Sequence, residues 1–268
     1  MAKDPELRAH LEWLGYVQPV GLVVSAPALA QAQAHINRNI IPQHRQLVEC
    51  VEEVRLADAR DSVVAATDLP GLLQKVFGWE PADLIGGPNN ESALDVLEVA
   101  LPEYNDRLRP TYAVKEWQPK DPARPWLLLI QTVPTGIDLD EVGEKDDHRW
   151  QASPQARFER LLRETGVPIG LLSNGTHLRL VYAPRGESSG YATFRVKDMT
   201  EVAGRPIFAA LHMLLWHERL FSMPEKQRLP AILAESRKYQ NLVSTQLAEQ
   251  VLAALYELVR GFQAADDA

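Results

Sequence analysis

The sequence is poor in cysteine, in net positive charge and in long apolar runs, and each shortage narrows what the chain can be. Cys50, the only cysteine in 268 residues, can close no internal disulfide and build no cysteine-rich zinc site, and no signal-peptide pattern precedes it, so the chain reads as cytoplasmic. Lys and Arg number 28 against 36 Asp and Glu, a formal charge of −8, which argues against a uniformly basic nucleic-acid binder or a polybasic membrane-surface protein. Residues Trp13 to Asn37 hold no Asp, Glu, Lys or Arg. Pro19, Pro27, glycines and polar residues nevertheless break that stretch, well short of the roughly 18 consecutive apolar residues of a spanning helix. No internal repeat or low-complexity tract is present. What remains is a globular composition, 46% hydrophobic and 24% charged, long enough for one large domain or two small ones.

The negative charge is concentrated. Asp138 to Asp147 holds six acids (Asp138, Asp140, Glu141, Glu144, Asp146, Asp147) against Lys145, which is five of the eight units of net charge. Arg149, Arg157, Arg160 and Arg163 follow, with Glu159 the one acid among them, and Trp13 to Val48 has no acid at all but contains His35, Arg38, His44 and Arg45. Taken alone, such runs read as solvated faces or loops.

Gly15 to Ser25 reads as extended or irregular, with Pro27 at a helix start. The spacing of Leu29, Ala32, Ile36 and Ile40 predicts a helix that Pro42 ends or kinks, and Leu47, Val51 and Val54 a second. Asp68 as N-cap, Pro70 in the first turn and Gly78 as stop frame a short buried helix. Residues 94–101 and 108–117 read as strands about a turn near Tyr104-Asn105-Asp106, and Trp126 to Ile130 as a strand covered on both faces. Ser153-Pro154 to Gly166 bounds a helix with Phe158, Leu161 and Leu162 inward. Ile169 to Leu172 and His177 to Tyr182 flank Asn174-Gly175, which suits a type I′ hairpin turn. A further strand is predicted over 192–196, and helices over 207–220, 231–239 and 245–262. The expected division is a helical N-terminal extension (1–90), an α/β core (91–203) and C-terminal helices (204–268).

The strand, strand, helix, strand-hairpin order of residues 93–182 resembles the restriction-endonuclease-like fold, a mixed central α/β sheet flanked by helices. Local wording sharpens the likeness. Leu108-Arg109-Pro110-Thr111-Tyr112-Ala113 resembles an LRPDYAL-type strand, and Leu128-Leu129-Ile130-Gln131-Thr132-Val133 the following LLIExK-type strand. Gln155-Ala156-Arg157-Phe158 is similar to a QxxxY-like helix, and Thr165 to Gly175 to a TGVPxGxLTNG hairpin. Together they resemble the amino-terminal region of type I and type IIG restriction-modification proteins. Trp13 to Ser25, followed by Ala34-His35-Ile36-Asn37-Arg38-Asn39, further resembles the start of adenine-specific DNA methyltransferases of phage-defence systems such as DISARM. Neither a glycine-rich S-adenosylmethionine loop nor an Asn-Pro-Pro-Tyr segment occurs in the sequence. The resemblance therefore implies a module of a longer protein, or a split-off version, with S-adenosylmethionine belonging only to a downstream part.

Metal-dependent cleavage in the endonuclease-like fold needs an Asp on one strand and Glu-x-Lys on the next. The corresponding positions here are Thr111, Gln131 and Val133. Two neutral oxygens and a hydrocarbon leave a hard divalent cation without the charges that would hold it, so the resemblance implies a vestigial site with no catalytic residue and no metal. A rearranged site would draw on Asp95, Glu98, Glu116, Asp138 or Asp140, while Glu144-Lys145 lies in the acidic loop. His212 and His217, five apart, have the wrong offset for two ligands on one helix face, and Ser173-Asn174-Gly175 is a turn rather than a nucleophile elbow.

A sheet without its metal can still hold double-stranded DNA through phosphate contacts. The expected contacts are Arg109, Lys115 and Lys120 near the central strands, Arg157 and Arg160 on the helix, and Arg38 and Arg45 as a second patch. The acidic loop either shields that face or is disordered, and disorder is the expectation. A competing reading is a docking module for a methyltransferase body or a helicase-type defence-system partner subunit, using the acid-free N-terminal stretch and apolar residues Leu252, Leu255 and Leu258. An active Mg²⁺-dependent nuclease with rearranged ligands is a third.

Overall fold

The computed structural model describes residues 5–21, 23–56, 62–88, 90–119, 121–143, 150–239, 250, 251, 254 and 255. The strands are β1 (Val20–Gly21), β2 (Glu52–Arg55), β3 (Ser62–Ala65), β4 (Ile85–Gly86), β5 (Val99–Leu101), β6 (Asp106–Leu108), β7 (Tyr112–Lys115), β8 (Trp126–Thr132), β9 (Ile169–Ser173), β10 (His177–Tyr182) and β11 (Gly190–Arg195). The helices are α1 (Pro5–Val17), α2 (Ala26–Gln31), α3 (Ile41–Glu49), α4 (Leu69–Phe77), α5 (Pro154–Thr165), α6 (Val196–Thr200), α7 (Arg205–Leu215) and α8 (His217–Leu220), and residues 229–239 are helical as well.

The apolar run of β8 lies in a seven-stranded mixed sheet ordered β1-β11-β10-β9-β8-β7-β4. β8 pairs with β7 antiparallel and with β9 parallel, Leu129 opposite Gly170 and Ile130 opposite Leu171, and a parallel pair demands a crossover, which α5 supplies. β9, β10 and β11 then run antiparallel in turn, and the first 90 residues contribute both edge strands. The mixed α/β sheet flanked by helices is thus the observed class, with the predicted strand, strand, helix, strand, strand order at its centre.

Alternation along the strands gives the sheet two apolar faces. Leu129, Leu172 and Val181 meet Phe158, Leu161 and Leu162 of α5 on one side, while Leu128, Ile130, Leu171, Leu180 and Phe194 join Trp13, Phe77 and Phe208 on the other. Each such buried side chain contributes about 1.5–3 kcal/mol relative to exposure. α5 is bounded as its sequence predicts. The Ser153 hydroxyl accepts from the Ala156 amide at 3.2 Å and Gly166 turns left-handed at φ 73°. Gly170 lets α5 lie close to the sheet, because a Cβ there would overlap the Phe158 ring and crowd Leu162.

Several local expectations are corrected. α2 stops at Gln31, Gln33 adopts φ 52°, and Ile36 and Ile40 lie in irregular chain, so Pro42 does not end a helix but sits in the first turn of α3, where its missing N–H costs nothing. Val54 belongs to β2, in keeping with its branched side chain. Residues Glu91–Leu97 form a 3₁₀ segment, which the three-residue spacing of buried Leu94 and Leu97 suits, and only Val99–Leu101 is strand. Pro110 divides the predicted 108–117 strand between β6 and β7. Of Asn174-Gly175 only Gly175 has positive φ, so the turn is not type I′; the Asn174 side-chain oxygen instead accepts from the Thr176 amide at 3.1 Å and the His177 amide at 2.8 Å. Val196 opens α6 rather than closing a strand, and Trp216 interrupts the predicted 207–220 helix. The predicted 245–262 helix lies outside the described residues except at positions 250, 251, 254 and 255, which are helical.

Gly170→Val should overpack the α5 contact and lower stability by about 1–3 kcal/mol, read as a lower urea midpoint. Gly143→Ala, whose new Cβ meets nothing within 4 Å, should leave the midpoint where it is.

Candidate nucleic-acid interface

Thr111 precedes β7, Gln131 lies near the end of β8 and Val133 just follows it, so sheet pairing brings the three to the α5 side. The Thr111 hydroxyl oxygen accepts from Gln131 Nε2 at 3.3 Å and from the Thr132 amide at 3.0 Å, and stands 3.2 Å from the Thr132 hydroxyl. The result is a neutral, internally satisfied knot. It does not fit Mg²⁺, which wants carboxylate oxygens, and its one central hydroxyl is already engaged. Among the described residues no group of three His, Cys, Asp or Glu side chains is placed to share a metal ion.

Gln131 and Val133 line a cavity of about 610 Å³ whose wall includes Arg107, Arg109, Arg157 and Trp150. None of the acids considered for a rearranged site lines this cavity. Asp95 pairs with Arg109 at 2.8 Å and Glu98 with Arg107 at 2.9 Å. Glu116 faces a different cavity. Asp138 accepts from the Asp140 amide at 2.7 Å, and Asp140 pairs with Arg179.

The expected DNA contacts therefore divide. Arg109, Arg157 and Arg160 do gather on the α5 side, but each carries a carboxylate partner. Arg157 holds Asp106 at 2.6 Å and donates to the Trp150 carbonyl, whereas Arg160 holds Glu103 at 2.5 Å and lies over the Trp150 ring. Burial pushes the Asp106 carboxyl up, but hydrogen bonds from Arg157 and from the Arg107 and Trp150 amides outweigh it and hold the group below its ordinary range. Lys115 is exposed at the end of β7, its Nζ 4.9 Å over the Trp126 ring. Arg38 and Arg45 are exposed on the far side, before and within α3, with no ion pair among the described residues. Lys120, Glu144 to Asp147, Leu252 and Leu258 lie outside the described residues. His212 is buried among Phe77, Phe208 and Trp216, and His217 stands 3.4 Å from Asp83, which gives both a packing role.

The first half of the acidic loop is anchored, against the expectation of disorder. Leu139 is buried and its carbonyl accepts from the Gln155 amide at 2.9 Å, while Asn174 Nδ2 donates to the Ile137 carbonyl at 2.8 Å. Arg179, on the α5 side of β10 and only 6% exposed in its side chain, grips both Asp140 oxygens at 2.6 and 2.7 Å, the Thr193 hydroxyl at 2.8 Å and Gln155 Oε1 at 3.2 Å. Its guanidinium also lies 4.2 Å over the Tyr191 ring.

Residues 45–261 match the family model described as MmeI, N-terminal domain. The chain belongs to the MmeI N-terminal domain family. No curated protein and no solved structure matches it. The family is a type IIG restriction-modification one, so the chain is a restriction-modification module, the class to which its strand and hairpin motifs point. No helix among the described residues is long and apolar enough to cross a membrane.

On the α5 side of this MmeI-type domain, Arg107 and Arg179 are cations that sequence reading missed. A signal for Arg179 exists: in His177-Leu178-Arg179-Leu180-Val181-Tyr182 a cation occupies the alternate position shared with Val181, which faces the core. Such a residue needs a partner inside the fold.

Asp140→Asn should cost about 1–2 kcal/mol, below the 3–5 kcal/mol typical of a fully buried broken pair, because Asp140 is half exposed while Arg179 is not. The Arg179 hydrogen bonds hold the Asp140 carboxyl low in the folded state, outweighing burial. The contribution is therefore full above the unfolded carboxylate pKa of about 3.9 and fades as pH falls through the lower folded value. Denaturant midpoints of the two proteins should converge on acidification; a gap that persists in strong acid would contradict the assignment.

Proposed function

We propose that this restriction-modification module is a non-catalytic DNA-binding domain that holds duplex DNA by its phosphates across the α5 side of the sheet. The observation that carries the reading is the juxtaposition of the neutral Thr111–Gln131 knot, where a nuclease of this kind needs its metal carboxylates, with a cavity rimmed by Arg107, Arg109 and Arg157. A duplex cannot enter the cavity, but a backbone can lie along its rim. The Arg109 pair is suited to exchange: Asp95 is 67% exposed, such a pair is worth little in water, and a phosphate can take the place of the carboxylate with counterion release as the driving term. Lys115 and Arg160 extend the same surface. Arg157 is less available, since its partner Asp106 is nearly buried.

The finer resemblance, to adenine-specific DNA methyltransferases of phage-defence systems, is part of this proposal. The partner is then a methyltransferase body or a defence-system subunit, and S-adenosylmethionine chemistry belongs to that partner rather than to this chain. A second reading, a docking module without DNA contact, is favoured by Val251 and Leu255, exposed at 52% and 57% and one helical turn apart.

A salt-titrated binding assay on duplex DNA, with and without Mg²⁺, tests these readings. The expected outcome is saturable binding that weakens steeply with salt, no cleavage, and a salt slope reduced by about one in Arg109→Gln or Lys115→Gln. Absence of binding at low salt supports the docking module. Metal-dependent cleavage abolished by Asp95→Asn or Glu116→Gln would overturn both.

A further inference from the structure

On the side of the sheet covered by α4 and α7, a second cavity of about 420 Å³ is lined by the loop after α2, by α3, the end of α4, α7 and α8. It is of the size that takes one small organic molecule and excludes a duplex. Arg219 of α8 lines it and is 3% exposed. Its Nη1 donates to the Gln227 carbonyl at 2.6 Å, and among the described residues its buried Nε has no partner and no carboxylate pairs with it. The other buried arginines differ, Arg179 holding Asp140 and Arg237 holding Glu187. An uncompensated buried cation is costly, and burial lowers the Arg219 pKa with no carboxylate opposing it. Lys75 adds a second positive charge to the lining.

Gln43 of α3, on the same lining, has a buried side-chain carbonyl oxygen with no hydrogen-bond donor among the described residues. Val76, Met213 and Trp216 supply apolar surface, with the Trp216 ring stacked on His212 at 6.3 Å between centroids. Burial favours neutral His212, although a hydrogen bond with the Val76 backbone opposes it. One cavity thus offers an anion site, an apolar and aromatic wall, and an acceptor awaiting an N–H.

We propose that this cavity binds a nucleoside monophosphate, with the phosphate on Arg219 and Lys75, the base against Trp216 and Met213, and a base N–H donated to Gln43. The site is separate from the DNA surface argued above and stands or falls without it.

The test is calorimetric titration of the full chain with deoxyadenosine monophosphate and thymidine monophosphate, set against inorganic phosphate and deoxyadenosine. At least one monophosphate should bind more tightly than either phosphate or nucleoside. Arg219→Met should weaken it by about tenfold to a hundredfold, the loss of a charge-assisted hydrogen bond, and should melt no lower than the parent without ligand. Lys75→Ala, at an exposed position, should fold normally and bind several-fold more weakly. Absence of binding by either monophosphate, phosphate binding as tightly as the nucleotides, or unchanged affinity in Arg219→Met would each overturn the proposal. Should Arg219→Met fail to fold, unchanged affinity in both Lys75→Ala and Gln43→Leu overturns it, and weakened affinity in either supports it.

Discussion

Parallel strands cannot be joined by a tight turn, so the pairing of β8 with β9 obliges the chain to leave the sheet after Val133 and return at Ile169. Everything that distinguishes the α5 side follows from that excursion. α5 needs an apolar surface to pack on, which Leu129, Gly170 and Leu172 provide, and it needs the absent Cβ of Gly170 to approach. The segment before α5 must then pass over the ends of β8 to β10, where the Asn174 side chain and the Gln155 amide bind its carbonyls and Arg179 holds its Asp140 carboxylate. The cavity beside Gln131 is the space left between that passage, α5 and the β5–β6 hairpin.

The fold's backbone was largely legible because its signals were local. A continuous apolar run, a capped amphipathic helix and an apolar hairpin gave β8, α5 and β9–β10, and their order alone gives the mixed sheet. Failures cluster where a residue's meaning depends on its neighbours. Pro42 serves equally as a stop or as a first-turn residue, and the choice fell to Gln33, whose positive φ broke the chain earlier. The leucines at 94 and 97 satisfy a strand prediction by composition and a 3₁₀ turn by spacing. Residues that converge from distant segments, such as Arg219 with Gln43, leave no sequence trace at all, since nothing in either neighbourhood names the other.

The candidate site was legible in identity and only partly in arrangement. Thr111, Gln131 and Val133 were found through strand motifs, and sheet geometry brings the first two into contact. The arginines were found as a composition, four within fifteen residues after the acidic run, yet their electrostatic state was not. Arg157 and Arg160 face Asp106 and Glu103 from the β5–β6 hairpin, fifty or more positions earlier in the chain. Sequence charge counts cannot reveal such compensation, which is why a basic segment can form a surface far less positive than its composition.

The acidic run means something different in space from what it means along the chain. Five units of net negative charge in ten residues look like a mobile, repelling loop, but one member, Asp140, neutralises a guanidinium that the sheet has buried, and Leu139 beside it is a core residue. Charge in this molecule is informative where it is matched or unmatched in space, and hardly at all where it is counted along the chain. By that measure the arginines of the α5 side are paired cations, differing in how readily a phosphate can replace the carboxylate, and the opposite side holds a buried cation, Arg219, with no carboxylate partner among the described residues. The first arrangement suits a ligand that competes and slides, the second a ligand that completes the site.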